Sequence, residues 1–448
     1  MGMTITEKIL ARHADKAAVA AGENVWVSAD VLLTHDVCGP ASIGIFHQQF
    51  GPDAKVFDPE RIVIIPDHYI FTADQKSQRN VLLVREFAHS QGLRSYYDPA
   101  FVTGKGMPTP YADPNATSYR GVCHVVMAEE RHTCPGQLLL GTDSHTCTAG
   151  AFGQFATGIG NTEAGFVMGT GKLWLRVPST MRFVFDGAMP PYLMAKDLIL
   201  AIIGRIGVDG ATYRAMEFAG PVVSRLDMDE RMTLCNMAVE AGAKMGLVAA
   251  DQVTETFVNS RHQKPYELVA NDPDAEFDSE QVYKIDQLEP AVAQPHSPAN
   301  YAAARELADV KLDRAYIGSC TGGKLADFMA AAKIMDGREC KIETFIVPAT
   351  TAVDAGLDRH RINGNTLRQV FQNAGAKLGP ASCAACLGGP PDTFGRVDTA
   401  LRVISSTNRN FPGRMGSKDA EIFLASPLTV AASAITGSIT DPRELLGS

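Results

Sequence analysis

The sequence predicts an α/β protein built on mostly parallel sheets. Short apolar runs alternate along the chain with segments of helical spacing, and polar residues gather where the apolar runs end. The length, 448 residues, exceeds what one hydrophobic core fills, so several domains are expected.

The strand candidates are, in order, RIVIIP (61–66), QLLLG (137–141), MRFVFDG (181–187), RAYIG (314–318), KIETFIVP (341–348) and ALRVISS (400–406). Each is short, apolar and bounded by turn formers, as a buried strand requires. Helical spacing marks NVLLVREFAHSQG (80–92) and KLADFMAAAKIMDG (324–337), each closed by the glycine that ends many helices. Strands alternating with helices pair in parallel and cover their faces with the helices. LRVPSTMRF (175–183) restarts the strand pattern, and the Pro- and Ala-rich EPAVAQPHSPANYA (289–302) reads as a linker. The expected segments are therefore 1–178, 179–295 and 296–448.

Composition excludes some functions. Net charge is −9, which opposes sequence-independent nucleic-acid binding. No apolar run is long enough to span a membrane. The opening MGMTITEKIL lacks the basic and apolar regions of a signal peptide, so a cytoplasmic protein is expected. Gly2 with Thr6 matches a myristoylation pattern and Asn115-Ala-Thr117 a glycosylation pattern, both without supporting context. Nine cysteines without a secretory signal read as reduced thiols.

The chemistry lies at the strand ends. RIVIIP leads into Asp67-His68 and QLLLG into Thr142-Asp143-Ser144-His145. RAYIG leads into Ser319-Cys320-Thr321, and ALRVISS into Thr407-Asn408-Arg409. In open α/β sheets ligands bind outside the carboxyl ends of the strands, and one site would use all four loops. Neighbouring Asp and His at such an end suit orientation and proton transfer. Cys320 falls between a strand and a helix start, where the dipole favours a thiolate. Cys383 and Cys386, in GPASCAACLGG (379–389), form a C-x-x-C that could be half a zinc site, a redox disulfide or part of an iron–sulfur cluster. Three thiolates are one short of a closed four-cysteine site, and the missing ligand leaves a metal position open to substrate. Arg409 and Arg414 suit a substrate with more than one carboxylate. His124, in GVCHVV (121–126), lies on an apolar run, the usual setting of a core histidine.

Taken together, "PDH" (66–68), "GVCH" (121–124), "GTDSHTCTAGAFGQFATGIGNTE" (141–163), "CNMAVEAGA" (235–243), "YIGSCTGG" (316–323), "ASCAACLGG" (381–389), "STNRNFPGRMG" (406–416) and "LASPLTVAASAITGSITDP" (424–442) closely resemble the aconitase/isopropylmalate dehydratase superfamily, specifically its separate large subunits. The resemblance runs from about residue 6 to 446. It implies three α/β/α domains around a central 4Fe-4S cluster, without the swivelling fourth domain of aconitases. By motif, Cys320, Cys383 and Cys386 look like the cluster ligands, with Asn236 and Asn408 in the cluster environment. His124 looks like a proton donor to the leaving hydroxyl. Asp67, His68, Asp143, His145 and Glu240 look like orienters and proton carriers. Ser144, Arg409 and Arg414 look like carboxylate binders.

The implied reaction is dehydration or isomerisation of a hydroxy di- or tricarboxylate. It is 3-isopropylmalate/2-isopropylmalate first, with 2,3-dimethylmalate, citramalate/citraconate and homoaconitate as alternatives. A separate small subunit would supply the missing swivel domain, a serine base and another substrate-binding arginine. A cluster-free regulatory protein and a zinc hydrolase using the same thiols are rival readings; the acidic net charge counts against RNA binding. The sequence departs from the family pattern at Cys320-Thr-Gly-Gly-Lys324, at Ala-Ser-Cys383-Ala-Ala-Cys386, and in residues 96–119, which look about a dozen residues longer than in most relatives. These changes bear on substrate choice and leave the three cysteines in place.

Overall fold

The computed structural model describes residues 2–100, 118–261 and 265–446. The chain forms two compact units with interleaved sequences: residues 1–119, 126–186 and 211–283 in one, and residues 120–125, 187–210 and 284–448 in the other.

Among the described residues, the first unit contains a five-stranded parallel sheet in the order Ser95–Tyr96, Ile62–Ile64, Val31–Thr34, Leu138–Gly141, Phe155–Gly158. These strands are apolar on both faces, as parallel strands covered by helices must be. Leu32, Ile62, Ile64, Leu138, Leu140 and Phe155 pack into one core with Phe46 and Phe87 from the flanking helices Gly39–Phe50 and Gln75–Gln91. Burying each such side chain contributes about 1.5–3 kcal/mol. The helix expected at 80–92 starts earlier, because Asp74 accepts from the Ser77 amide at 2.8 Å, and it stops where Gly92 turns left-handed at φ +65°. A second sheet joins Met245–Val248, Ala215–Ala219, Thr180–Asp186 and Ser279–Lys284, the first three in parallel.

The second unit carries, among the described residues, a seven-stranded sheet. Its order is Tyr301–Ala303, Ala291–Ala293, Glu421–Ala425, Arg402–Ser405, Arg314–Ile317, Glu343–Ile346, Lys377–Leu378. The last five strands run parallel and the first two antiparallel. Helices Leu325–Met335, Leu367–Asn373 and Pro427–Thr436 supply core residues, with Phe328 edge-on to Phe371 at 5.9 Å.

The observed α/β class and the six strand candidates agree with the sequence. The strands of the three large sheets come from 1–178, 179–295 and 296–448 in turn, save Ala291–Ala293, whereas the compact units cut across those segments. The stretch 289–302 is not a linker. Ala291–Ala293 is fully buried and pairs with Tyr301–Ala303 on one side and Glu421–Ala425 on the other. Alanine has little strand propensity of its own, so neighbours impose the strand. Of the long stretch 96–119, residues 101–117 lie outside the described residues. Its flanks are tied together: the Asp98 amide donates to Ser118 Oγ at 2.7 Å, and the Ser118 amide to the Asp98 carbonyl at 3.0 Å.

One close approach fixes the loop after Leu138–Gly141. Residues Ser144–Phe152 wind as a 3-10 helix, and a Cβ at Gly150 would collide with the carbonyl oxygen of Gly246 in strand Met245–Val248. We expect Gly150→Ala to cost about 1–3 kcal/mol, seen as a lower melting temperature by circular dichroism.

Candidate active site

In the first unit, strands Ile62–Ile64, Val31–Thr34 and Leu138–Gly141 are neighbours running the same way. The residues that follow them therefore meet: Asp67-His68, His35-Asp36 and Asp143-Ser144-His145. Asp36 is fully buried, and its carboxylate accepts from the amides of Asp67 (3.0 Å), His68 (3.3 Å) and Tyr69 (2.5 Å). That carboxylate shapes the turn carrying the predicted Asp–His pair. Asp67 Oδ1 lies 2.6 Å from His68 Nδ1. Burial alone would depress the His68 imidazole, but the charge and hydrogen bond of Asp67, then Asp36 and Asp143, hold it up at about 9. That shift favours the imidazolium form of His68 at neutral pH.

Asp143 caps the 144–152 helix, accepting from the His145 amide at 2.7 Å, and its Oδ1 lies 3.3 Å from His145 Nδ1. His145 Nε2 lies 2.8 Å from Glu240 Oε1. Glu240 sits in the short helix Met237–Ala241, directly after helix Met228–Asn236. Asn236 is fully buried and donates from Nδ2 to Thr148 Oγ1 at 2.7 Å, while Thr148 donates to the His145 carbonyl at 2.6 Å. Two predicted carboxylates and the predicted Asn236 thus converge on His145 and its helix. Ser144 is half-buried in the same turn.

In the second unit, strands Arg402–Ser405, Arg314–Ile317, Glu343–Ile346 and Lys377–Leu378 are consecutive and parallel, and their ends carry the thiols. Cys320 follows the second of these strands, and Cys383 and Cys386 follow the last. The three side chains form one small buried cluster with Val122, Val125 and Ala349. Asn408 Nδ2 donates to Cys320 Sγ at 3.4 Å. Cys320's turn is braced throughout: Ser406 Oγ accepts from the Gly318 amide at 2.9 Å, and Thr321 Oγ1 donates to the Ser406 carbonyl at 2.9 Å. The departure Gly322-Gly323-Lys324 has a local reason. A Cβ at Gly322 would collide with Ser406 Oγ, and Lys324 Nζ turns back to the Thr321 carbonyl (2.8 Å) and to Asp327 (2.9 Å). Lys196, also buried, donates to the Thr407 carbonyl. Burial pulls its ammonium down to about 7, against the opposing charge of Asp327.

His124 is buried in the first turn of helix Cys123–Glu129, between the two valines of the thiol cluster. Gly121 makes this possible. Its φ is +121°, and the Val122 amide donates to the Ala349 carbonyl at 2.8 Å, an approach that any Cβ on Gly121 would block. Arg409 and Arg414 are half-buried in the loop after Arg402–Ser405. Asn410 anchors that loop through Nδ2 to the carbonyls of Gln294 (2.8 Å) and Ile422 (3.0 Å).

The aconitase family (aconitate hydratase) profile matches residues 7–306 and 299–437. The chain belongs to the aconitase family. A chloroplastic 3-isopropylmalate dehydratase large subunit of Arabidopsis thaliana is 56% identical to it over 99% of this chain and 87% of the relative. The 3-isopropylmalate dehydratase large subunit of Aquifex aeolicus is 40% identical over 100% of this chain and 98% of its own length. A probable 3-isopropylmalate dehydratase large subunit of Methanothermobacter thermautotrophicus is 42% identical over 99% and 100%. Among solved structures, holo aconitase X of Thermococcus kodakaraensis superposes with a TM-score of 0.48 at 14% identity, covering 92% of this chain and 91% of that one. Among the described residues no helix is long and apolar enough to cross a membrane.

Cys383 and Cys386 sit side by side, their Cα atoms 5.6 Å apart. The donor set suits an iron–sulfur cluster: three cysteines in one buried cluster, with an amide donor on Cys320 and lysines bracing the adjoining turns. Sequence reading missed His35 and Asp36, although Thr34-His35-Asp36 obeys the same strand-end rule that found the others. Lys196 gives no signal, since a lysine on an amphipathic helix reads as a surface residue.

Two outcomes follow from these buried charges. Lys324→Met leaves Asp327 buried without its cation, and we expect a loss of about 3–5 kcal/mol in chemical denaturation. Because His68 has its pKa raised on folding, its stabilisation is full below about pH 6.5 and fades as pH rises through about 9. Melting temperatures of the unaltered chain and His68→Gln should converge across that interval.

Proposed function

We propose that this chain is the cluster-binding large subunit of a hydro-lyase that interconverts 3-isopropylmalate and 2-isopropylmalate. The observation that carries this reading is the meeting of Cys320, Cys383 and Cys386 in one buried cluster after strands of one parallel sheet, in a chain 56% identical to a large subunit of that enzyme.

In this reading the reduced Cys320, Cys383 and Cys386 hold a 4Fe-4S cluster, and Asn408 orients Cys320. When bound, such a cluster with three protein ligands supplies an iron with an open position, hence Lewis-acid polarisation of a leaving hydroxyl. The remaining work falls to the chain's own residues. His124 delivers a proton to the departing hydroxyl. Asp143 and Glu240 grip the two ring nitrogens of His145, fixing the ring for proton transfer. Asp67 keeps His68 cationic, which suits a carboxylate substrate. Asn236 keeps the 144–152 helix in place through Thr148. Ser144, Arg409 and Arg414 bind the substrate carboxylates. A separate small subunit completes the site and removes the carbon-bound proton, so the large subunit alone turns over little.

The test is anaerobic purification with iron and sulfide analysis, followed by assay of 3-isopropylmalate dehydration with and without the small subunit. We expect activity only with the partner. Cys320→Ser should lose the visible absorbance of the cluster and the activity while remaining folded. A fully loaded cluster with no turnover of 3-isopropylmalate in the presence of the partner would overturn the reading.

A further inference from the structure

His35 has no part in the reaction described above, yet it stands between both Asp–His pairs. It follows the central strand Val31–Thr34 and is 2% exposed. Its Nδ1 lies 3.2 Å from the Val37 amide nitrogen, which donates to it when the ring is neutral with its proton on Nε2. That Nε2 is buried without a hydrogen-bond partner and lies 3.7 Å from Asp143 Oδ2. On its other side the ring lies 4.9 Å from the ring of His68. The remaining ionisable groups facing it are Asp36, 3.9 Å from Nδ1, together with Cys38 and Asp67. Burial works against a charged His35, but the Cys38 hydrogen bond and the charges of Asp67 and Asp143 outweigh burial and the repulsion of His68, raising its pKa.

A carboxylate swings easily about its terminal torsion, which has broad wells. Asp143 holds His145 through Oδ1, so whatever faces Oδ2 decides whether that grip stays aligned. We propose that His35 is a positioning residue whose Nε2–H steadies Asp143 Oδ2 while its ring backs His68, so that one side chain holds both proton-carrying pairs in register. The proposal rests on the acid–base roles given above to Asp143, His145 and His68.

The test uses the full chain with its small subunit and a reconstituted cluster, comparing His35→Gln, His35→Asn and His35→Ala. Glutamine can place an amide N–H near the position of Nε2, whereas asparagine reaches only that of Nδ1. We expect kcat to fall by roughly 10²-fold in the Asn and Ala variants, the scale of a misplaced catalytic group. KM should change little, the limbs of the kcat–pH profile should shift, and glutamine should restore most of the rate. Imidazole titrations of His68 and His145, followed by NMR in the cluster-free full chain with labelled histidine, should move in the Asn and Ala variants and stay in place in the Gln variant. If the Ala variant does not fold, the Gln–Asn pair decides. Equal impairment by Gln and Asn would reduce His35 to a space-filling role, and unchanged rates and titrations in a folded Asn variant would remove it from the site; either result overturns the proposal. Absence of 3-isopropylmalate turnover in the unaltered enzyme would instead sink the functional reading, with the titrations still judging His35.

Discussion

Parallel strand pairing is the constraint on which the rest of this molecule depends. Strands that run the same way deliver their carboxyl ends to one edge, so residues far apart in sequence become neighbours without any long loop to carry them. In the first unit this brings residues 35, 67 and 143 together, and in the second residues 320, 386 and 408. Parallel neighbours cannot be joined by a tight turn, so each such adjacency needs a crossover connection.

The same arrangement concentrates charge where water is scarce. Asp36, Asp67, His68, His35 and His145 are all buried in the first unit, and Lys196, Asp197, Lys324 and Asp327 in the second. Isolated, each would oppose folding by several kcal/mol. They persist because each is given partners by the backbone as much as by other side chains. Three amides serve Asp36, two serve Asp197 and backbone carbonyls receive both lysines. Folding and preorganisation are thus one process here: the groups that would carry protons or bind thiolate ligands are oriented before any substrate arrives.

Much of this was legible from residue order. The apolar runs at 62–64, 138–141, 314–317 and 402–405 were readable because buried parallel strands are apolar on both faces, and the ionisable residues at their ends stood out against them. Other parts were not. His35-Asp36 follows a strand as long as those and was not singled out in the sequence. The strand Ala291–Ala293 was hidden by its composition, since its conformation comes from partners at 301–303 and 421–425. Lys196, in helix Ala195–Ile206, is buried by tertiary packing that its sequence context does not signal. His124 sits on an apolar run and is buried; the resemblance rather than the run singled it out, and the approach of Gly121 to Ala349 holds its turn beside the thiols. What escaped sequence reading was in each case set by a neighbour distant along the chain.

The interleaving of the two units has a consequence for synthesis. The backbone passes from one unit to the other at 119/120, 125/126, 186/187, 210/211 and 283/284. Neither unit is a continuous stretch of chain, so no single continuous fragment holds one unit alone. During translation the first unit lacks its last portion until residue 283 has left the ribosome. Residues 120–125, which bring His124 to the cysteines, must wait for partners near 349 and 383 that are made more than two hundred residues later. Such delayed long-range closure slows folding and leaves apolar surface uncovered in the meantime. Residues 320, 383 and 386, whose side chains cluster with Val122 and Val125, all come from the final third of the chain.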